Sequence, residues 1–164
     1  MYCQLWILGV VMNYNEEIAM IADNNAELII AIREQIHTYP ELSFREYKTS
    51  ELVRQELNRI GIKYENSPIE NGIVAEIDSG KPGKLLMLRA DMDALPIQEQ
   101  VAIDYKSKCD NVMHACGHDI HTANLIAVGQ ILNEMKEHWK GKVKLVFQPA
   151  EENGGGGRKM IEAG

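Results

Sequence analysis

Two short apolar segments with a helix-like segment between them constrain the fold of this chain more than any other feature. The first is Lys84–Arg89 (KLLMLR) and the second is Val143–Phe147 (VKLVF). Apolar runs of this length, bounded by turn residues, predict buried β-strands. Asp119–His138, which lies between them, has apolar residues at helical spacing and predicts a helix that covers the strands. This order of elements predicts an α/β fold.

The flanking sequence adds two helices and two further strands. Apolar residues at helical spacing predict helices over Glu16–Tyr39 and Arg45–Ile60. Gly72–Asp78 (GIVAEID) is typical of a strand, and Ile62–Tyr64 is a weaker strand candidate. The turn sequence at residues 79–84 (SGKPGK) predicts a hairpin between the strand before it and the strand after it. Together the elements predict a sheet of mixed direction flanked by helices.

The composition is that of a soluble globular protein and argues against two classes of partner. Hydrophobic residues make up 45% and charged residues 25% of the 164 residues, which suits one domain with a sizeable core. The net charge of −7, without a run of Lys or Arg, argues against a nucleic-acid surface and an anionic membrane surface. Three cysteines at no framework-like spacing argue against a disulfide scaffold and favour a reducing compartment, the cytoplasm.

The N-terminal apolar run, Leu5–Met12, is too short for a membrane span, which needs roughly 20 residues. It also lacks the basic segment and the cleavage site of a signal peptide. We predict that Met12 is the natural start, that residues 1–11 are an upstream extension, and that residues 12–164 form the folded part.

Side chains of metal-ligand type gather at three places where a strand ends or a helix begins. They are Asp91 and Asp93 after the first apolar segment, Cys116 and His118 before the helix, and Glu151 and Glu152 after the second apolar segment. Ligands of open α/β sheets gather outside the carboxyl ends of strands, so the three clusters are expected to converge. Cys116 and His118 stand two positions apart, so in an extended segment they face one side and can hold one metal ion or two neighbouring ones.

A simpler interpretation of these residues stays open. An Asp-x-Asp after a strand is usually a solvated turn, and a Glu-Glu pair is usually a solvated face. A hydrolytic metal site, in contrast, needs anionic or imidazole ligands, a position for water and a base. The side chains of adjacent glutamates cannot easily point to the same face. This favours different roles for Glu151 and Glu152, in which one binds the metal ion and the other holds the water. The joint occurrence of the three clusters at strand ends favours the metal site.

Four blocks of the sequence resemble the M20 metallopeptidase family and, within it, the amidohydrolase subfamily. The blocks are HTYPELSFREYKTS (37–50), LRADMDALPIQEQ (88–100), MHACGHDIHTANLI (113–126) and VFQPAEENGGGGRKMIEAG (146–164). The subfamily includes hippurate hydrolases, N-acyl-amino-acid amidohydrolases, auxin-conjugate hydrolases and N-acetyldiaminopimelate deacetylases. The resemblance implies a zinc-exopeptidase-like mixed sheet and hydrolysis of the amide bond of a small-molecule N-acyl amino acid.

The resemblance also implies a centre of two divalent metal ions, zinc or manganese, with cobalt as a third choice. Cys116 and His118 match metal ligands of the MHACGHD motif, and Glu152 matches the metal-binding second glutamate of PAEE. His114 and His121 are predicted to support the motif rather than to bind metal.

The same resemblance implies the catalytic residues. Glu151 matches the general base that activates water, although the roles of Glu151 and Glu152 can also be reversed. Asp91 and Asp93 match the position of the His-x-Asp element found elsewhere in the family. Asp93 is then the carboxylate that orients the site, and Asp91 is a further active-site candidate.

Family members are more than twice as long as this chain, so the resemblance implies the N-terminal part of a catalytic domain, without the lid and dimerisation domain. A full-length parent is expected to be a homodimer or homotetramer. Two other classes stay open. One is a truncated, catalytically inactive remnant, and the other is a redox protein that uses Cys109 and Cys116, although their spacing is not Cys-x-x-Cys.

Overall fold

Two helices open the part of the chain that the computed structural model describes, residues 13–164. They are α1 (Tyr14–Thr38) and α2 (Tyr47–Arg59), each within two residues of the predicted bounds. A capping box starts α1, because Asn13 Oδ1 accepts the backbone N–H of Glu16 while the Glu16 carboxylate accepts the N–H of Asn13. The predicted extension at residues 1–11 lies outside the described residues.

A four-stranded mixed sheet forms the centre of the fold, as predicted. The elements that follow α2 are β1 (Lys63–Asn66), β2 (Ile73–Asp78), β3 (Leu85–Asp91), α3 (His118–Glu134), a 3₁₀ turn (Lys136–His138), β4 (Lys142–Gln148) and α4 (Gly156–Glu162). The strand order is β1-β2-β4-β3. Strand β4 runs antiparallel to β2 and parallel to β3.

The predicted hairpin between β2 and β3 is wrong, because β4 lies between these two strands. The turn segment instead packs on the start of β4: Ser79 N–H donates to the Gly141 carbonyl, and Gly141 N–H donates to the Lys81 carbonyl. Strand β4 takes an inner place in the sheet, where its Leu145 and Phe147 are completely buried. A local turn pattern carries no information about this non-local choice.

Helix α3 connects β3 to β4 and places the carboxyl ends of both strands at one edge of the sheet. In the parallel register Asp91 lies opposite Gln148. The helix packs closely on the sheet, since a Cβ at Gly129 would come within 2.7 Å of Leu145 Cδ1. Ile126 on the same helix is fully buried. The predicted convergence of the strand-end clusters is therefore confirmed.

Strand β3 forms an edge of the sheet, and its first half is open to solvent. Leu85, Leu86 and Met87 are 58%, 55% and 65% exposed, whereas Ala90 at the other end is buried. The described residues include no helix with the length and apolar character that a bilayer crossing requires.

Candidate metal centre

Three element boundaries bring the predicted site residues together. Asp91 is the last residue of β3, and His118 is the first residue of α3. Glu151 and Glu152 follow β4 by three and four residues. Gly117 precedes His118 with a φ of 79°, a left-handed conformation that glycine adopts without strain and that turns the chain into the helix.

The imidazole of His118 lies at the centre of the site and is held by one of its two nitrogens. His118 Nδ1 lies 2.8 Å from the backbone carbonyl of Asp93, so this nitrogen carries the proton and donates it to the carbonyl. The other nitrogen, Nε2, faces three carboxylates. It is 3.5 Å from Asp91 Oδ1, 3.9 Å from Glu151 Oε2 and 3.8 Å from Glu152 Oε1.

These separations fit a metal centre better than a hydrogen-bonded cluster. Hydrogen bonds between nitrogen and oxygen are about 2.7–3.2 Å long, whereas ligand atoms about 2.1 Å from one tetrahedral zinc ion lie roughly 3.4 Å apart. One ligand atom each from His118, Glu151 and Glu152 lies within 4.8 Å of the others. Glu152 Oε1 is also buried without a hydrogen-bond partner among the described residues. Imidazole and carboxylate donors with an unpaired buried oxygen fit a divalent cation.

The carboxylate of Asp93 is hydrogen-bonded to the backbone of Glu151 and Glu152 and to the side chain of Ser43. Its Oδ1 accepts the N–H of Glu151, and its Oδ2 accepts the N–H of Glu152 and the hydroxyl of Ser43, at 3.0, 3.0 and 2.6 Å. Burial acts to raise the pKa of Asp93, but hydrogen bonds, first of all from His118, outweigh it and lower this pKa to about 2. The carboxylate is therefore an anion that accepts the backbone N–H groups of both glutamates.

A second candidate cluster includes a histidine that we predicted as support. Asp91, His118 and His121 also offer ligand atoms within 4.8 Å of one another. His121 Nδ1 lies 2.6 Å from Asp91 Oδ1. Burial acts to raise the pKa of Asp91, but the hydrogen bond from His121 and the charge of His118 lower it. The i, i+3 spacing at a helix start, which puts both histidines on one face, is the sequence feature that identifies this pair.

Cys116 and His114 lie differently from the other residues of their motif. Cys116 is exposed and belongs to neither cluster, but it lies beside Glu152, which raises the pKa of its thiol. Cys109 and Cys116 are both free thiols. His114 is buried, and among the described residues neither of its ring nitrogens has a hydrogen-bond partner. Burial lowers the pKa of His114 to about 4, so its ring is neutral at pH 7.

A buried ion-pair network beside the site was not predicted from the sequence. We call it the helix-anchor network, and it consists of Arg33, His37, Glu99 and Asp119. His37 bridges the two carboxylates, with Nδ1 2.8 Å from Asp119 Oδ2 and Nε2 3.1 Å from Glu99 Oε1. Arg33 Nε donates to the same Asp119 oxygen at 2.7 Å. The network ties α1 and the segment between β3 and α3, which contains Glu99, to the start of α3.

The sequence of the chain is similar to those of known peptidases and deacetylases. A family model described as Peptidase family M20/M25/M40 matches residues 87–164. Thermostable carboxypeptidase 1 of Saccharolobus solfataricus is 49% identical over 139 residues, which are 83% of this chain and 35% of the relative. N-acetylcysteine deacetylase of Bacillus subtilis is 44% identical over 137 residues, 83% of this chain and 36% of the relative.

The solved structures agree as well. The Bacillus subtilis YXEP protein, described as a dinuclear metal binding peptidase from the M20 family, superimposes with a TM-score of 0.83 at 42% identity. The match covers 86% of this chain and 40% of that structure. The chain thus spans about a third of the length of the curated relatives it matches. Over residues 87–164, the matched segment, the chain is similar to the M20/M25/M40 family of peptidases.

Proposed function

We propose that this chain supplies the strand-end part of a metal-dependent amidohydrolase, which cleaves the amide bond of an N-acyl amino acid. The observation that carries the proposal is the position of His118 Nε2, which faces three carboxylates at 3.5–3.9 Å. The names of the relatives, a carboxypeptidase and an N-acetylcysteine deacetylase, support hydrolysis of amides next to an amino acid.

The residues that would hold the metal ions are His118, Glu152 and Cys116, with Asp91 and His121 as further candidates. Bound divalent cations supply Lewis-acid polarisation of the amide carbonyl and lower the pKa of water. Imidazole and thiolate ligands suit zinc, while the carboxylates also admit manganese or cobalt. A description as a dinuclear metal binding peptidase belongs to the YXEP protein and supports a pair of ions here.

The two adjacent glutamates differ in a way that supports separate roles. The side chain of Glu151 is 43% exposed, whereas that of Glu152 is 15% exposed and has one unpaired oxygen. An exposed carboxylate beside the cluster can take a proton from water and deliver it to the leaving amine. We therefore assign the base to Glu151 and the ligand to Glu152, with Asp93 holding the backbone of both.

Hydrolysis of N-acetyl and N-benzoyl amino acids by the protein expressed from its complete gene, supplied with zinc or manganese, tests the proposal. Glu151→Gln is expected to lower kcat by at least a hundredfold, because general acid–base catalysis contributes roughly that much. Glu162→Gln, which changes an exposed glutamate paired with Arg158, is the matched control. Full activity of the Glu151 variant would contradict the assignment of the base.

A metal-binding chain without turnover is the second candidate function. Zinc binding without hydrolysis of any N-acyl amino acid by the complete protein would favour it.

Assembly into a homodimer or homotetramer and a cytoplasmic location complete the proposal. The free thiols of Cys109 and Cys116 support a reducing compartment.

A further inference from the structure

The buried carboxylate of Glu46 is hydrogen-bonded to three residues whose backbone is left-handed. Four non-glycine residues among residues 13–164 have a positive φ, and three of them, Phe44, Asn71 and Ala150, donate hydrogen bonds to Glu46. L-residues rarely adopt this left-handed conformation, because Cβ crowds the backbone carbonyl. Strain of this kind persists only where surrounding contacts hold it in place.

The two ends of the Glu46 carboxylate have different partners. Oε1 accepts the N–H of Phe44 at 3.0 Å and the N–H of Ala150 at 2.8 Å, while Oε2 accepts the side-chain amide of Asn71 at 3.4 Å. Glu46 itself is fully buried. It thus ties the start of α2 to the turn after β4, which lies 104 positions further along the chain.

Three consecutive N–H groups of that turn donate to two buried carboxylates. The N–H of Ala150 donates to Glu46, and the N–H groups of Glu151 and Glu152 donate to the two oxygens of Asp93. Ala150 has a φ of 53° and is fully buried, so it sets the direction in which the chain leaves β4. A change of φ at this residue would redirect both glutamate side chains.

Helix capping does not explain Glu46. It occupies the N-cap position of α2, but its side chain makes no cap hydrogen bond. That task falls to Glu41, whose carboxylate accepts the N–H groups of Lys48 and Thr49 in the first turn of the helix. The chain therefore offers two carboxylates on one segment, one that caps the helix and one that reaches the site.

We propose that Glu46 is a positioning residue that holds Ala150 left-handed and thereby sets the direction of the two glutamates that follow. The proposal rests on the proposed function in one respect, because it takes Glu151 and Glu152 to be the working carboxylates. It gives a role to Glu46, to which neither the metal centre nor the catalytic assignment had given one.

Amide hydrogen exchange in the metal-free chain tests the backbone part of the proposal. In Glu46→Leu an apolar side chain of similar size fills the space of the glutamate, but the hydrogen-bond acceptor is removed. The amides of Phe44 and Ala150 are therefore expected to exchange at least about tenfold faster. Amides of the central β2–β4 ladder, such as those of Ala75 and Leu145, serve as the internal reference for global stability. Equal acceleration at all four amides, or none at Ala150, would overturn the proposal.

Zinc titration of the same variants tests the link to the glutamates. Removing a residue that orients a metal ligand typically weakens metal affinity by about 10- to 100-fold, and we expect this of Glu46→Leu. Glu46→Gln keeps an oxygen acceptor for Ala150 and should bind zinc nearly as tightly as the unmodified chain. Glu41→Leu removes the carboxylate that caps the helix and is the matched control for Glu46→Leu, expected to leave zinc affinity unchanged.

A second substitution separates positioning from plain structural support. Glycine adopts a positive φ without strain, so Ala150→Gly added to Glu46→Leu should recover part of the lost zinc affinity. No recovery would overturn the proposal. If the unmodified chain binds no zinc, the proposed metal centre fails, while selective exchange at Phe44 and Ala150 still supports the role of Glu46.

Discussion

The strand-end site, which we define as His118 with Asp91, Glu151 and Glu152, and the helix-anchor network are neighbouring clusters of carboxylates and histidines. The distances between their nitrogen and oxygen atoms differ. In the helix-anchor network His37 and Arg33 reach their carboxylates at 2.7–3.1 Å, which are hydrogen-bond distances. In the strand-end site His118 Nε2 stays 3.5–3.9 Å from three carboxylates. The first cluster pairs its two carboxylates directly with Arg33 and His37, whereas the second places three carboxylates around one imidazole nitrogen.

Nitrogen–oxygen distances of hydrogen-bond length are typical of a structural cluster, and longer distances are typical of ligands that surround a metal ion. A buried anion needs a compensating partner, because burial without one is costly. In the helix-anchor network the guanidinium and the imidazole supply it. In the strand-end site the spacing leaves room for a cation among the carboxylates. Each cluster also has one buried carboxylate oxygen without a partner among the described residues, Asp119 Oδ1 and Glu152 Oε1. Variants of each cluster should therefore differ in whether they lower stability, metal affinity or both.

The largest effect is expected for Asp93→Ala, which removes a group that serves the site without binding metal. The change leaves the N–H groups of Glu151 and Glu152 without their acceptor, and buried unsatisfied groups are costly. We expect a loss of about 4 kcal/mol in the free energy of unfolding, measured by urea denaturation, together with loss of zinc binding. Ser43→Ala removes one bond to Asp93 and should cost about 1 kcal/mol.

His37→Leu should lower stability while sparing metal affinity. The substitution leaves Glu99 and Asp119 buried without the imidazole that bridges them, at a cost of about 3 kcal/mol in the free energy of unfolding. The zinc dissociation constant should not change, because His118 is oriented by Asp93 and not by this network. A zinc affinity that fell together with stability would break the distinction between the two clusters.

Acid should remove the contribution of Asp93 at a defined pH. The pKa of Asp93 falls from an ordinary value of 3.8 to about 2 in the folded chain. A depressed pKa adds stability that is present above pH 4 and is lost as the pH falls from about 4 to about 2. The difference in unfolding free energy between the unmodified chain and Asp93→Asn should therefore shrink by about 2 kcal/mol over that range. A difference that stayed constant would contradict the low pKa.

The sequence predicted local elements well and contacts between distant elements poorly. Helical spacing located α1 and α2 within two residues, because apolar periodicity is a local property. The hairpin was wrong because β4 pairs between β2 and β3, a non-local contact that a turn sequence does not encode. Convergence of the clusters at one sheet edge followed from the general geometry of α/β sheets. The bridge from His37 to Asp119 spans 82 positions, and no spacing rule reaches that far.

The role of Glu46 shows the same limit within the site. An acidic residue at the start of an amphipathic helix is ordinarily a cap or a solvated side chain. Its burial and its hydrogen bond to Ala150 become evident only in the folded chain. His121 was closer to being predictable, because its i, i+3 spacing from His118 is visible in the sequence.

Zinc titration of the metal-free chain by calorimetry tests the central claim most directly, with Glu152→Gln, Glu151→Gln and Glu162→Gln measured beside it. We expect the unmodified chain to bind zinc, and zinc at about a hundred times its dissociation constant to add about 2.7 kcal/mol to the free energy of unfolding. Glu152→Gln should lose most of this binding, whereas Glu151→Gln and Glu162→Gln should keep it. Zinc binding that survives both Glu152→Gln and His118→Ala would contradict a metal centre at the ends of β3 and β4.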